Sequence, residues 1–426
     1  MINADLVVRG ASELLTCAGP IPRAGAAQAE VGAVARGALA ARGGRIVFVG
    51  PEAELDREVR LLPSGRTIDA TGGTVLPGFC DPHTHLPFAG ARADEFARRV
   101  AGATYQEIAA AGGGILSTVR STREADEAEL IALGLPRLDQ MLRHGTTSTE
   151  AKSGYGLSEA DELKQLRAIR ALGERHPVEI TATLLAAHSV PPEFREDRAG
   201  YLDLVTGTII PRVARERLAV ACDVFFEEGV FDRDESRRVL EAGLAHGLRP
   251  RLHADQLSPS GGAELAAELR ALSADHLERA GQEGIRAMAA AEVVAVLLPG
   301  ATFFLMLERY ADARRLIEAG VPVALATDFN PGSCYTESMP MIVTLAVLQM
   351  RMSVEEAIVA ATANAAAALG RGDDVGSLEP GKQADLLVLD LPDHRHLGYH
   401  FGVNPVRTVV KAGRVVVEDR RLSPRA

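Results

Sequence analysis

Brief apolar runs punctuated by turn residues open and close this chain. Between them the pattern changes to buried-looking strands that alternate with helical periodicity. Near the start, residues 5–9, 37–42 and 45–49 read as strands, and Gly43-Gly44 between the last two signals a hairpin. Near the end, residues 384–390, 406–411 and 414–417 repeat the pattern, with Ala412-Gly413 as a turn. Neither end is long enough to make a good sheet core alone. The expectation is one small β-sandwich domain built from both ends, residues 1–72 and 376–426, with the middle of the chain inserted between them.

The inserted part, residues 73–375, carries eight candidate strands: 74–76, 146–151, 179–187, 222–227, 249–253, 273–276, 293–298 and 321–327. Helical patterns separate them, and Ser158-x-x-Asp161 and Ser353-x-x-Glu356 look like capping boxes that open apolar-periodic runs. Eight strand–helix units predict an α/β fold with a (β/α)8 TIM-like barrel. A doubly wound sheet is the alternative, but no GxGxxG follows the first strand. The run Gly112-Gly113-Gly114 lacks a following Lys-Ser/Thr and reads as a loop near the site mouth rather than a phosphate loop.

Composition narrows the function. The 426 residues are 47% hydrophobic and 24% charged, ordinary for a globular protein. A net charge of −11 argues against a nucleic-acid partner. The four cysteines, Cys17, Cys80, Cys222 and Cys334, are widely spaced without a CxxC, which suggests reduced thiols and a cytoplasmic location. No signal peptide is evident. The most membrane-like stretch, residues 289–307, is broken by Glu292 and Pro299-Gly300 and reads as a buried strand, turn and helix start. No membrane partner is expected.

The candidate chemistry lies at the strand ends, where barrel active sites sit. His83 and His85 follow the first strand, and residues two apart on an extended segment point the same way. His188 ends strand three, His253 strand five, His276 strand six and Asp328 strand eight. Five of the eleven histidines thus fall at strand ends, which composition does not explain. The best assignment is one metal ion held by His83, His85, His253 and Asp328, with room for a water whose pKa the metal would lower. Asp328 could take that water's proton and pass it to a leaving nitrogen. His276 could polarise a carbonyl. No lysine ends strand three or four, and Lys152 after strand two is poorly placed to bridge two metals, so a single ion is expected. His144, His176, His246, His394, His396 and His400 read as structural or exposed.

Together these residues resemble the amidohydrolase superfamily. The pattern is the PGFxDxHxH segment of residues 77–85, the strand-five and strand-six histidines, the strand-eight Asp and the tail at 376–386. Segments 86–92, 151–156, 187–190, 253–256 and 327–333 resemble, more narrowly, the imidazolonepropionase family of histidine degradation. That resemblance implies hydrolysis of the cyclic amide C–N bond of 4-imidazolone-5-propanoate to N-formimidoyl-L-glutamate. It implies Arg92, Tyr155 and His188 as substrate contacts and Asn330, Gly332 and Ser333 as pocket lining. Gln256 would be an orienting residue of the catalytic group, since an amide cannot serve as a base. Arg92 suits the substrate's propionate. The resemblance also implies zinc or iron, one ion per chain, and a homodimer. A related mononuclear-metal deaminase acting on a purine or triazine ring is the alternative. An inactive relative that binds a partner would predict a broken ligand set, and the set is complete.

Overall fold

The computed structural model describes residues 1–103, 107 and 112–424. Eight parallel strands form one sheet in chain order. They are β1 (Phe79–Asp81), β2 (Thr146–Lys152), β3 (Glu179–Ala187), β4 (Ala221–Phe226), β5 (Arg249–Ala254), β6 (Ser273–His276), β7 (Val294–Leu297) and β8 (Val323–Leu325). Just beyond the last strand the ring closes: Thr84 bridges Phe329, and the Asp328 amide donates to the His83 carbonyl at 3.0 Å. Helices connect the strands and cover the outside, so strands such as β7 are buried throughout and read as unbroken apolar runs. The helix Glu159–Arg175 is capped by Ser158, and Val354–Ala361 starts with a complete capping box between Ser353 and Glu356. Both ends of the barrel sheet thus meet over the segments that carry His83, His85 and Asp328.

The chain ends form two further sheets. One holds Ile2–Arg9, Gly37–Arg42, Arg45–Pro51 and Val59–Asp69. The other joins Glu13–Leu15, Ala33–Ala35 and Thr74–Pro77 to the C-terminal strands Leu386–Leu389, Val406–Lys411, Arg414–Glu418 and Arg421–Leu422. Leu6, Val8, Leu39 and Ile46 of the first pack with Leu14, Val75, Leu386, Val388 and Val410 of the second in one apolar cluster. Burial of these side chains is what holds the sandwich together.

One strand assignment changes. The run 74–76, expected as the first barrel strand, pairs instead with Leu386–Leu389 in the sandwich, and the barrel begins at Phe79. Gly78 is the crossing point, packed so closely that a Cβ there would lie 2.3 Å from the Thr147 hydroxyl. A fully buried apolar run looks the same in a sandwich core and in a parallel barrel, so its pattern could not locate the break. The strand Val59–Asp69 has no clear signal because it is mostly exposed and contains Pro63 and Gly65. The stretch 289–307 resolves into the end of a helix, β7 and the helix Pro299–Phe304. No described helix is long and apolar enough to cross a membrane.

Candidate metal centre

Barrel interiors are ordinarily filled by branched aliphatic side chains. This one is charged. Glu150, Lys152, Asp223, Arg251 and Asp275 are all fully buried on the strands beneath the site. Above them, at the strand ends, His83, His85 and His253 each bring a ring nitrogen within 4.8 Å of the other two. Asp328 Oδ1 lies 3.5 Å from His83 Nε2 and 3.4 Å from His85 Nε2. His253 Nε2 and His85 Nε2 are 3.5 Å apart.

Three imidazoles and a carboxylate around one point fit a divalent ion with an open position. His83 supplies a direct test of that fit: its Nε2 is buried and has no hydrogen-bond partner among the described residues. Its Nδ1, by contrast, meets Asp275 Oδ2 at 2.6 Å, and His253 Nδ1 faces Asp223 Oδ2 at 3.1 Å. The Asp275 carboxylate fixes the His83 proton on Nδ1 and turns its Nε2 lone pair toward the common point, while Asp223 stands behind His253 at ion-pair distance, on the side away from the centre. Burial opposes ionisation of Asp223, but Lys152 and His253 outweigh it and hold its carboxyl well below the usual range. Burial likewise pushes Lys152 down, yet Asp223, Glu150 and Asp275 outweigh it and keep the ammonium.

Asp328 and His276 are held in left-handed backbone, with φ of +52° and +81°. Such conformations are costly for residues with a Cβ and persist where the surroundings enforce them, often at functional sites. Asp328 is buried, which disfavours its charge, but His85, His276 and His253 outweigh this and lower its pKa. His276 sits 5.4 Å, ring to ring, from His253, and its Nδ1 is 3.8 Å from Glu278 Oε1. Burial pushes His276 down, while Glu278, Asp328 and Asp275 pull it up, with a net rise.

The expected substrate residues surround this centre unequally. His188 stacks on His85 at 5.1 Å, and its Nδ1 meets the Gly154 carbonyl at 3.1 Å. Tyr155 is buried 5.8 Å from His85 and 5.5 Å from His188, and burial raises its phenol far above its ordinary range, so it remains a donor. The Arg92 guanidinium is held by Glu95 through Nε and Nη2, at 2.9 and 2.8 Å. Its Nη1 lies against Gly332, where a Cβ would come within 2.0 Å, so only glycine admits this approach. Ser333 Oγ donates to Asp328 Oδ2 at 3.2 Å. Asn330 differs from the expectation: its amide is spent inside the turn, donating to the Asp328 carbonyl and Ser333 Oγ and accepting from the amides of Gly332 and Ser333. These bonds fix the turn that carries Gly332 and Ser333. Gln256 lies partly exposed on a loop that Glu227 ties down through the amides of Leu257 and Ser258.

Sequence reasoning gave no role to Glu150, Lys152, Asp223, Arg251 and Asp275. A signal was present: Arg251 shares the alternation of His253, and a charge on the inward parity of a buried strand demands a partner. Of the histidines read as structural, His176 pairs with Asp139, and His394 joins Glu13 to Glu355.

The amidohydrolase family model matches residues 74–416. The imidazolonepropionase of Symbiobacterium thermophilum is 55% identical over 426 residues, all of both chains. That of Geobacillus kaustophilus is 52% identical over 98% of this chain and 99% of its own. Among solved structures, a zinc-bound adenosine deaminase from Xanthomonas campestris matches with a TM-score of 0.75 at 20% identity, covering 100% of this chain and 95% of that one. At that identity the match shows a shared fold.

Proposed function

Because this chain belongs to the amidohydrolase family, and within it to the imidazolonepropionases, we propose that it hydrolyses the cyclic amide C–N bond of 4-imidazolone-5-propanoate to N-formimidoyl-L-glutamate in histidine degradation. What supports this most is end-to-end similarity to proteins of that name, in a chain whose four candidate ligands converge with the His83 Nε2 among the nitrogens left without a hydrogen bond.

His83, His85, His253 and Asp328 would hold one ion, zinc or iron. When bound, such an ion supplies Lewis acidity and lowers the pKa of a water at the site. Arg92 receives the propionate, oriented from behind by Glu95. Tyr155 and His188 flank the ring, and Gln256 orients it. His276 donates a hydrogen bond to the ring carbonyl, stabilising the negative charge that develops on its oxygen. Asp328 takes the proton of the attacking water and returns it to the leaving ring nitrogen. The Asn330 turn keeps Ser333 Oγ on Asp328 Oδ2, so the other carboxylate oxygen faces the imidazoles.

Reconstitution of the apoprotein tests this. The rate of 4-imidazolone-5-propanoate loss should climb linearly with added zinc or ferrous ion and level off at one ion per chain. Turnover that survives complete chelation would contradict it. The family relationship also favours a homodimer, and sedimentation of a monomer at micromolar concentration would count against that.

A further inference from the structure

Behind the metal-binding face lies a layer of charge that the reaction as described does not use. Lys152 on β2 is completely buried. Its Nζ is 2.7 Å from Glu150 Oε2, 2.8 Å from Asp223 Oδ2 and 3.7 Å from Asp275 Oδ2. Asp223 comes from β4 and Asp275 from β6, on either side of the strand that carries His253. These are the same two carboxylates that stand behind His253 and His83. One ammonium therefore reaches both groups that aim two of the three imidazoles. Glu150 is shared with Arg251, whose Nε lies 3.2 Å from Glu150 Oε1 and whose Nη1 donates to the Pro82 carbonyl, one residue before His83.

Two buried carboxylates this close repel each other, and in a dry interior that repulsion is poorly screened. Leaving them without a counter-charge is strongly unfavourable. Their positions behind the two rings thus depend on what stands between them.

We propose that Lys152 is a positioning residue of the metal centre: its ammonium clamps Asp223 and Asp275 in the places from which they aim Nε2 of His253 and His83 at one point. The inference rests on the ligand assignment above. Lys152 touches neither ion nor substrate and acts only through the two carboxylates. A neutral side chain of similar volume fills the same space, but the carboxylates move apart and the rings lose their rear support. Loss of such outer support typically weakens metal binding 10- to 100-fold.

The test is a zinc titration of apoprotein against a chromophoric chelator, with thermal unfolding of each apoprotein alongside. K152M is compared with K411M. Lys411 is a second nearly buried lysine, paired with Asp385 and with Glu179 at the far end of β3. K152M should weaken zinc binding about 10- to 100-fold, whereas K411M should lower the unfolding temperature and leave zinc affinity unchanged. A folded K152M with wild-type affinity overturns the proposal. Should K152M fail to fold, K152M/D223N, which loses one charge of each sign, is compared with D223N. Further weakening in the double variant, through Asp275, supports the clamp; equal affinity overturns it. H83A in the same titration tests the underlying assignment: wild-type affinity there means His83 is no ligand, and the clamp falls with it.

Discussion

Asp275 Oδ2 meets His83 Nδ1 at 2.6 Å, and both side chains are completely buried. His83 therefore presents Nε2, and only Nε2, to the centre of the site. The proposed metal centre thus rests on a carboxylate of the strand below as well as on the ligands above. Asp275→Asn keeps the shape but can offer the ring an N–H in place of an acceptor. We expect metal affinity to fall about 10- to 100-fold, read by chelator competition, with the fold retained by circular dichroism.

In the proposed mechanism Asp328 combines two tasks that substitution can separate. Asp328→Asn keeps an oxygen donor beside His83 and His85 but loses the proton acceptor. The variant should retain most of its metal by elemental analysis, while kcat falls by about 10²- to 10⁴-fold. A kcat near wild type would remove Asp328 from the proton-transfer role.

Arg92 is expected to act on binding. Arg92→Ala removes the proposed partner of the propionate and should raise KM roughly 10- to 100-fold, the equivalent of about 1.5–3 kcal/mol for a charged hydrogen bond, with a smaller change in kcat. Steady-state kinetics on 4-imidazolone-5-propanoate decide this. An unchanged KM would point to a substrate without a carboxylate.

His394 links the sandwich to the barrel. Its Nδ1 lies 3.0 Å from Glu13 and its Nε2 3.1 Å from Glu355, and the Glu13 hydrogen bond leads the causes that raise its pKa above 6.5. A histidine whose pKa rises on folding stabilises fully below its unfolded value and loses that contribution as pH climbs through the folded value. His394→Gln should therefore lower Tm most below pH 6.5, by the equivalent of about 1 kcal/mol given partial solvent screening. The gap from wild type should narrow on the alkaline side. A gap independent of pH in thermal melts would show that the imidazolium is not what matters.

These sites differ in how far the sequence revealed them. His83, His85, His253 and Asp328 stand at strand ends, and the barrel brings strand ends together whatever the loops do, so their proximity was legible from spacing. The partners of the ligands were harder. Asp223, Asp275 and Lys152 lie 71, 52 and 123 residues apart in pairwise order along the chain, and their contact depends on the inward parity of three separate strands. The sequence around Lys152 does not single out Asp223 or Asp275 as its partners, and its place between carboxylates follows from barrel register rather than from any local motif. The break at Gly78 was illegible for a related reason: burial on both sides erases the alternation that marks a strand's face. Asn330 looked like pocket lining, but a short polar side chain in a turn finds its own backbone first.

Opening of an imidazolone ring at this metal centre can be followed directly. The most direct measurement follows 4-imidazolone-5-propanoate by ultraviolet absorbance with purified, metal-quantified protein, while guanine, adenosine and a triazine are assayed in parallel for ammonia release. Rapid loss of the imidazolone at about one metal per chain, with no ammonia from the bases, is the predicted result. Ammonia from a base with the imidazolone untouched would keep the barrel and its ligands but contradict the substrate, and with it the role of Arg92.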